Sequence, residues 1–267
     1  MLSRQNPRIK YLRRLTNRRF REMEGKFMAE GVRFVEEALA SSFTVEMLVY
    51  CRNTGLNSRG RALLEAASFN DIPVLEVEEA FFKELAETVT PQGILAVVKW
   101  RRLKLEDLRA GVNPWLLVLV DGVLDPGNMG TIVRSSDAAG ADGVILLKGT
   151  ADIFNPKALR ATMGSIFHIP VIQNSSFEEV ELFIKRHGVK LVAGMPRGEK
   201  AIFESNLTES CALVVGSEPR GPGETVMSGV FERVHIPMPG RAESLNVAIS
   251  TAIMLYEAVR QRSSTSS

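Results

Sequence analysis

Apolar positions along the chain switch repeatedly between helical and strand spacing. From Gly31 to Ala40, Val32, Val35 and Leu39 share one helical stripe, and Val45–Tyr50 then reads as a strand. A helix fits Arg59–Ala67, a short strand Ile72–Val77, a helix Glu78–Glu87 and a buried strand Gly93–Trp100. These elements predict a small α/β sandwich. A basic polar stretch follows (Lys99, Arg101, Arg102, Lys104), then Gly111 and Pro114, so a boundary is expected between residues 1–108 and 109–267.

Beyond Trp115 the alternation is cleaner. Leu116–Val120 is a continuous apolar run of strand length, as in a parallel sheet covered on both faces. A helix is expected from about Asn128 to Ala139, then a strand at Gly143–Leu147, a helix at Pro156–Met163 and a strand at His168–Ile172. A helix at Phe177–Arg186 and strands at Val189–Ala193, Ala212–Gly216 and Arg233–Pro237 continue the series, and Leu245–Arg262 closes it as a long helix. Repeated strand–helix units of this kind build a parallel sheet that binds ligands beyond the carboxyl ends of its strands.

Charge changes the picture at one end. The formal net charge is only +2 over 267 residues, yet residues 1–21 hold Arg4, Arg8, Lys10, Arg13, Arg14, Arg18, Arg19 and Arg21 and no acid. Such a block reads as a polyanion-binding arm. Ile9, Tyr11, Leu12, Leu15 and Phe20 interleave with it, which suits a helix docked on its own domain while it presents cations to phosphate. Tyr11 and Phe20 could stack on bases, although packing in a core is the commoner use of such residues. Cys51 and Cys211 have no CxxC spacing, and His168, His187 and His235 no ligand spacing, so no metal site is expected. The amino terminus lacks a signal-peptide core, and no apolar run approaches the roughly 20 residues of a membrane span, so a reduced, cytoplasmic, soluble protein is expected.

Three loops at strand ends carry unusual chemistry. The first is Asp121-Gly-Val-Leu-Asp-Pro-Gly-Asn128-Met-Gly130-Thr-Ile-Val-Arg134. Asn128 can cap the helix there, Gly127 and Gly130 permit close backbone approach, and Arg134 falls in the second turn, within reach of an anion near the helix start. The second loop, Gly216-Ser-Glu218-Pro-Arg220-Gly221-Pro-Gly223, is rigid and irregular, suited to main-chain contacts. In the third, Ile236-Pro-Met238-Pro-Gly-Arg-Ala-Glu-Ser244-Leu-Asn246, Ser244 is a candidate N-cap, and Asn246 is unremarkable in a first turn unless it has another task. No GxGxxG fingerprint, no phosphate-binding GxxxxGK[ST] and no nucleophile elbow is present.

These three loops, in this order, resemble the motifs of the SpoU (TrmH-like) RNA ribose methyltransferases of the SPOUT superfamily. Leu124–Gly130 with Arg134 and Gly140 matches the first motif, Gly216–Gly221 the second, and Ile236–Met238 with Ser244–Val247 the third. Asn155-Pro-Lys157-Ala-Leu-Arg160-Ala-Thr-Met-Gly164-Ser165 is similar to the family's intervening segment. Phe27-Met-Ala-Glu30-Gly31-Val-Arg33 more loosely resembles its L30e-like substrate-binding domain. The chain departs from the pattern at Pro219, where many relatives have Gly, and at Ala248-Ile-Ser250.

The resemblance implies an α/β fold, a SPOUT-type parallel-sheet catalytic domain with a trefoil knot, preceded by the L30e-like sandwich. It implies transfer of a methyl group from S-adenosylmethionine to a ribose 2′-hydroxyl of RNA by a homodimer. Asn128, Arg134, Glu218, Ser244 and Asn246 take the catalytic positions, and Gly194, Gly216, Ile236 and Leu245 the cofactor positions. Arg4, Arg8, Lys10, Arg13, Arg14, Arg18, Arg33, Lys157 and Arg160 are the expected RNA contacts. The two-domain layout is closer to ribosomal RNA enzymes than to tRNA enzymes, which makes large-subunit 23S rRNA the expected substrate. A tRNA-directed enzyme, a base methylase and a non-catalytic RNA-binding or ribosome-assembly protein are the alternatives. Joint retention of the five catalytic-position residues weighs against the last. The final helix, with Ala252, Ile253, Leu255, Tyr256 and Val259, could supply the dimer interface.

Overall fold

A computed structural model describes residues 6–111, 114–217 and 221–265. Arg4 and Glu218, both expected site residues, lie outside the described residues. The chain divides into two compact units, Met1–Arg102 with Phe154–Phe167, and Leu103–Ile153 with His168–Ser267.

In the first unit the basic amino-terminal segment forms two helices, α1 (Pro7–Leu15) and α2 (Arg18–Glu24). Asn6 and Asn17 cap them, each accepting a backbone N–H through its side chain. Strand β1 (Lys26–Glu30), α3 (Val32–Ala40), β2 (Thr44–Tyr50), α4 (Ser58–Phe69), β3 (Val74–Glu76), α5 (Glu79–Leu85) and β4 (Ile94–Lys99) follow. The sheet order is β1-β4-β2-β3, antiparallel except for the β2–β3 pair. Ile9, Leu12, Leu15 and Phe20 are buried with Val49, Phe82, Leu95 and Val97. The apolar residues of the arm are therefore core. Tyr11 meets Phe20 edge-on at 5.7 Å and donates its hydroxyl to the Glu24 carboxylate, so both rings serve packing rather than base stacking.

The second unit holds a seven-stranded sheet. In chain order its elements are β5 (Leu116–Asp121), α6 (Pro126–Ala138), β6 (Gly143–Leu147), β7 (Val171–Ser175), α8 (Phe177–His187), β8 (Lys190–Gly194), β9 (Lys200–Ala201), β10 (Cys211–Gly216), α9 (Glu224–Ser228), β11 (Glu232–His235) and α10 (Val247–Thr265). Helix α7 (Pro156–Thr162) falls between β6 and β7 but belongs to the first unit. The order β7-β6-β5-β10-β8-β11-β9 is parallel throughout. Leu117 and Leu119 face a core with Val180, Phe183 and Ile184 of α8, and the alternating Val118 and Val120 are equally buried. Both faces are covered, as the unbroken apolar run of β5 requires.

Two expectations change. Strand β7 begins at Val171 rather than His168, because Pro170 has no N–H to give the ladder, and its carbonyl accepts from Val144. The expected single cut at 108/109 is replaced by a cut at 102/103 and an excursion of residues 154–167. The excursion has an aromatic cause: Phe154 stacks on Trp100 at 4.1 Å and on Phe27 at 5.0 Å, and Phe167 packs on Phe34 and Phe43. Periodicity located helix α7 but carried no information on which core would receive it.

Helix α10 is clamped at its far end. The Arg262 guanidinium donates to the carbonyls of Pro114, Trp115, Leu207 and Glu209 at 2.6–3.0 Å. This ties the helix to the amino ends of β5 and β10. Leu255 and Ala258 are buried inside the unit, while Ile249, Ile253 and Tyr256 stay exposed.

Candidate active site

The register of the second sheet brings four strand ends together. Gly216 at the end of β10 pairs with Asp121 at the end of β5, Val214 with Ala193 of β8, and Gly194 with Val234 of β11. The loops leaving β8, β10 and β11, with helix α10, surround a cavity of about 370 Å³. Gly194, Gly216, Ile236 and Leu245, the expected cofactor residues, all line it, as does Ser244. Val215, Val234, Val247 and Met254 give it apolar walls.

Glycine makes this convergence sterically possible. A Cβ on Gly216 would sit 2.1 Å from the carbonyl carbon of Gly221, where the loop folds back across the strand end. On Gly194 it would meet the Met254 sulfur at 2.6 Å. The returning loop is pinned by the Gly221 N–H donating to the Ser217 carbonyl, and by the Gly223 N–H donating to the Asp121 carboxylate at 2.7 Å. Asp121 opened the first motif in the sequence, but nothing there assigned it this role.

The two expected N-caps are both displaced, with a chemical consequence. Helix α6 is capped by Asp125, whose carboxylate accepts the Asn128 N–H at 2.8 Å, and Pro126 occupies the first helical position. Asn128 is therefore inside the first turn. Asn246, not Ser244, caps α10: its side-chain oxygen accepts from the N–H groups of Ala248 and Ile249 at 3.0 and 3.3 Å. With the oxygen so engaged, the amide nitrogen faces outward and donates to the Asn128 side-chain oxygen at 2.9 Å. One hydrogen bond thus joins the first and third motifs.

Because α6 begins at Pro126, Arg134 stands in its third turn, roughly 12 Å along the axis from the start at 1.5 Å per residue, not in the second. It is exposed, has no polar partner among the described residues and does not line the cavity. Of the expected catalytic residues that are described, Ser244 lines the cavity, whereas Asn128, Asn246 and Arg134 do not; Asn246 is flanked in sequence by the lining residues Leu245 and Val247 and bonds to Asn128. The sequence reading missed Met195, Pro196, Arg197, Ser217, Ser250 and Met254 as lining. Ser250 and Met254 follow Val247 at helical spacing and look like any core stripe; Arg197 looks like any loop arginine.

The expected RNA contacts that are described lie in the first unit. Arg8, Lys10, Arg14, Arg33 and Lys157 are exposed. Arg13 is paired with Glu84 at 2.6 Å, Arg18 with Glu22 at 2.8 Å, and Arg14 lies over the Phe20 ring at 4.0 Å. Arg21 is buried, its guanidinium donating to the Thr16 carbonyl at 2.7 Å to close the end of α1. One Arg160 guanidinium nitrogen is enclosed without a hydrogen-bond partner. Among the described residues no group of side chains is arranged to hold a metal, and no helix is long and apolar enough to cross a membrane.

Comparison with known proteins gives the family. Residues 115–256 match the model of the SpoU rRNA Methylase family, and residues 6–96 that of the MRM3-like substrate binding domain. The chain belongs to the SpoU rRNA methylase family. It is 36% identical to the Bacillus subtilis 23S rRNA (guanosine(2553)-2′-O)-methyltransferase RlmP, over 95% of this chain and 96% of that protein. It is 32% identical to the 23S rRNA (uridine(2479)-2′-O)-methyltransferase of Streptomyces viridochromogenes, over 93% and 87%. Among solved structures, the SpoU methyltransferase AviRb from S. viridochromogenes in complex with AdoMet superposes with a TM-score of 0.88 at 31% identity, covering 97% of this chain and 99% of that one. The AdoMet-bound rRNA methyltransferase from Sinorhizobium meliloti gives 0.86 at 33%, covering 97% of each. The match spans both units.

If the Asn246 amide both caps α10 and orients Asn128, its two duties separate by substitution. Asn246→Asp keeps the cap acceptor and should melt close to wild type, whereas Asn246→Ala should lose about 1–2 kcal/mol. Thermal denaturation followed by circular dichroism checks this; equal losses in both variants would show that the side-chain oxygen does not cap the helix.

Proposed function

We propose that this SpoU-family chain is an S-adenosylmethionine-dependent methyltransferase that methylates a ribose 2′-hydroxyl of large-subunit (23S) ribosomal RNA. One observation carries the reading: the four residues expected to hold the cofactor line a single cavity at the carboxyl ends of the sheet together with Ser244, and Asn246, next in sequence to the lining residue Leu245, donates to Asn128. The size of the cavity suits a small organic ligand. Its apolar walls suit an adenine ring.

Bound S-adenosylmethionine would supply a methyl group already activated on a sulfonium. What remains for the protein is alignment and charge. Holding an oxygen in line with a bound carbon removes much of an entropic barrier. Asn128, Ser244 and Asn246, with Glu218, would position the ribose. Arg134 cannot act as a base, since a guanidinium stays protonated at any working pH. It would serve as a fixed cation against the neighbouring phosphate and the developing alkoxide.

The first unit would hold the RNA. Arg8, Lys10, Arg14, Arg19, Arg33 and Lys157 are its exposed candidates, whereas Arg13, Arg18 and Arg21 are committed to partners inside the unit. A second copy of the chain would cover the exposed face of α10, where Ile249, Ile253 and Tyr256 lie at helical spacing.

Four expected outcomes follow from these assignments. With labelled S-adenosylmethionine and 23S rRNA, alkaline hydrolysis should leave the label in a base-resistant dinucleotide; label in mononucleotides would mean base methylation, and its absence would sink the enzyme. Arg134→Ala should lower the single-turnover rate about 100-fold or more while leaving cofactor affinity intact, and an unchanged rate would remove it from catalysis. Deleting the arm would strip Ile9, Leu12, Leu15 and Phe20 from the core, so point changes are the better probe. Replacing Arg8, Lys10, Arg14 and Arg19 by Ala should flatten the slope of log affinity against log salt by about 0.7 per lost contact. An unchanged slope would clear these side chains of phosphate binding. In sedimentation velocity, Tyr256→Arg should shift a dimeric wild type toward monomer; a wild type that is already monomeric would refute the α10 interface.

A further inference from the structure

The cavity has a charged group that the sequence did not single out. Arg197 lies on the loop Met195-Pro-Arg-Gly-Glu199, which leaves β8, and it is the only charged side chain among the described residues that line the cavity. It is exposed, and it makes no hydrogen bond or ion pair with another described residue.

An unpaired surface arginine is ordinarily a mobile one, but this one rises from a fixed base. The Met195 N–H donates to the Val234 carbonyl at 2.8 Å, and the Glu199 N–H to the Arg233 carbonyl at 2.9 Å, so both ends of the loop are tied to β11. The His235 imidazole Nδ1–H donates to the Gly198 carbonyl at 3.1 Å. Gly198 lies flat against that strand: a Cβ there would be 2.2 Å from the Val234 carbonyl carbon. Holding the backbone on either side of Arg197 reduces the entropy lost when its side chain is immobilised on a ligand.

The charge pattern of the donor selects what Arg197 can meet. S-adenosylmethionine carries two cationic groups, a sulfonium and an ammonium, and one anionic group, the α-carboxylate. A guanidinium beside lining residues that are otherwise neutral among those described repels the first two and attracts the third. Planar, paired N–H donors also match a carboxylate better than any neutral lining group does. We propose that Arg197 is a cofactor-binding residue, pairing with the α-carboxylate of S-adenosylmethionine and so making the cavity selective for the carboxylate-bearing donor. This rests on the cofactor reading above and adds the group that decides between donors.

Isothermal titration with S-adenosylmethionine and with decarboxylated S-adenosylmethionine, which lacks only that carboxylate, tests it on the full chain. Wild type should prefer the intact donor by about tenfold or more, as expected for one charge-assisted pair partly open to solvent. Arg197→Ala should lose that preference by weakening the intact donor alone, and Arg197→Lys should recover part of it. Unchanged affinity for the decarboxylated compound reports that the cavity is still folded. Equal weakening of both compounds, or no change in either, overturns the assignment. Unchanged donor affinity with weakened RNA binding also overturns it, by making Arg197 a phosphate contact. A wild type that binds neither compound fails earlier, at the cofactor reading itself; one that binds both equally fails only here.

Discussion

Backbone can pass backbone at van der Waals distance only where no side chain intervenes, and the second unit depends on that at the ends of its central strands. At Gly216 the returning loop crosses the strand end, and at Gly198 the loop after β8 lies on β11; in both places even a methyl group would overlap carbonyl carbon. Because these approaches are allowed, the ends of β10, β8 and β11 converge on one cavity. Everything proposed about catalysis is downstream of that closeness.

Helix α10, which lines the cavity through Val247, Ser250 and Met254, is fixed at both ends. Asn246 starts α10 and spends its side-chain oxygen on the helix's own N–H groups, which leaves its amide to fix Asn128. Arg262 holds the other end of the same helix through four carbonyls. A residue that might have been only a cap thereby becomes a ruler between two motifs. Because α10 is held at both ends, the amide that orients Asn128 projects from a fixed base. Rigid support of this kind is what positioning catalysis needs.

Much of this was legible in the sequence, and the failures have physical reasons. Continuous apolar runs such as Leu116–Val120 and Ala212–Gly216 announced buried parallel strands, and the order of the three loops identified the family. The caps were misplaced because Asp125 and Asn128, like Ser244 and Asn246, are all competent to cap. Pro126 at the first helical position decides the first case. In the second, Leu245 is turned to the cavity before the helix begins. The basic arm proved half structural: charge density showed the number of cations, but only packing showed that Arg21 closes a helix and Arg13 meets Glu84. Residues 154–167 joined the first unit through stacked rings, a choice that spacing within the segment does not encode. Arg197 left no sequence signal because the clamp beneath it, on which its proposed role rests, exists only in the fold.

The most direct measurement of the central constraint is calorimetric titration of S-adenosylmethionine into Gly216→Ala beside wild type, with circular dichroism as the control on folding. The added methyl must push the crossing loop away, so the expected result is a folded variant whose affinity has fallen by about 100-fold or more, close to 2.7 kcal/mol. A folded Gly216→Ala protein that binds the donor as tightly as wild type would contradict the claim that the cavity exists by virtue of that crossing.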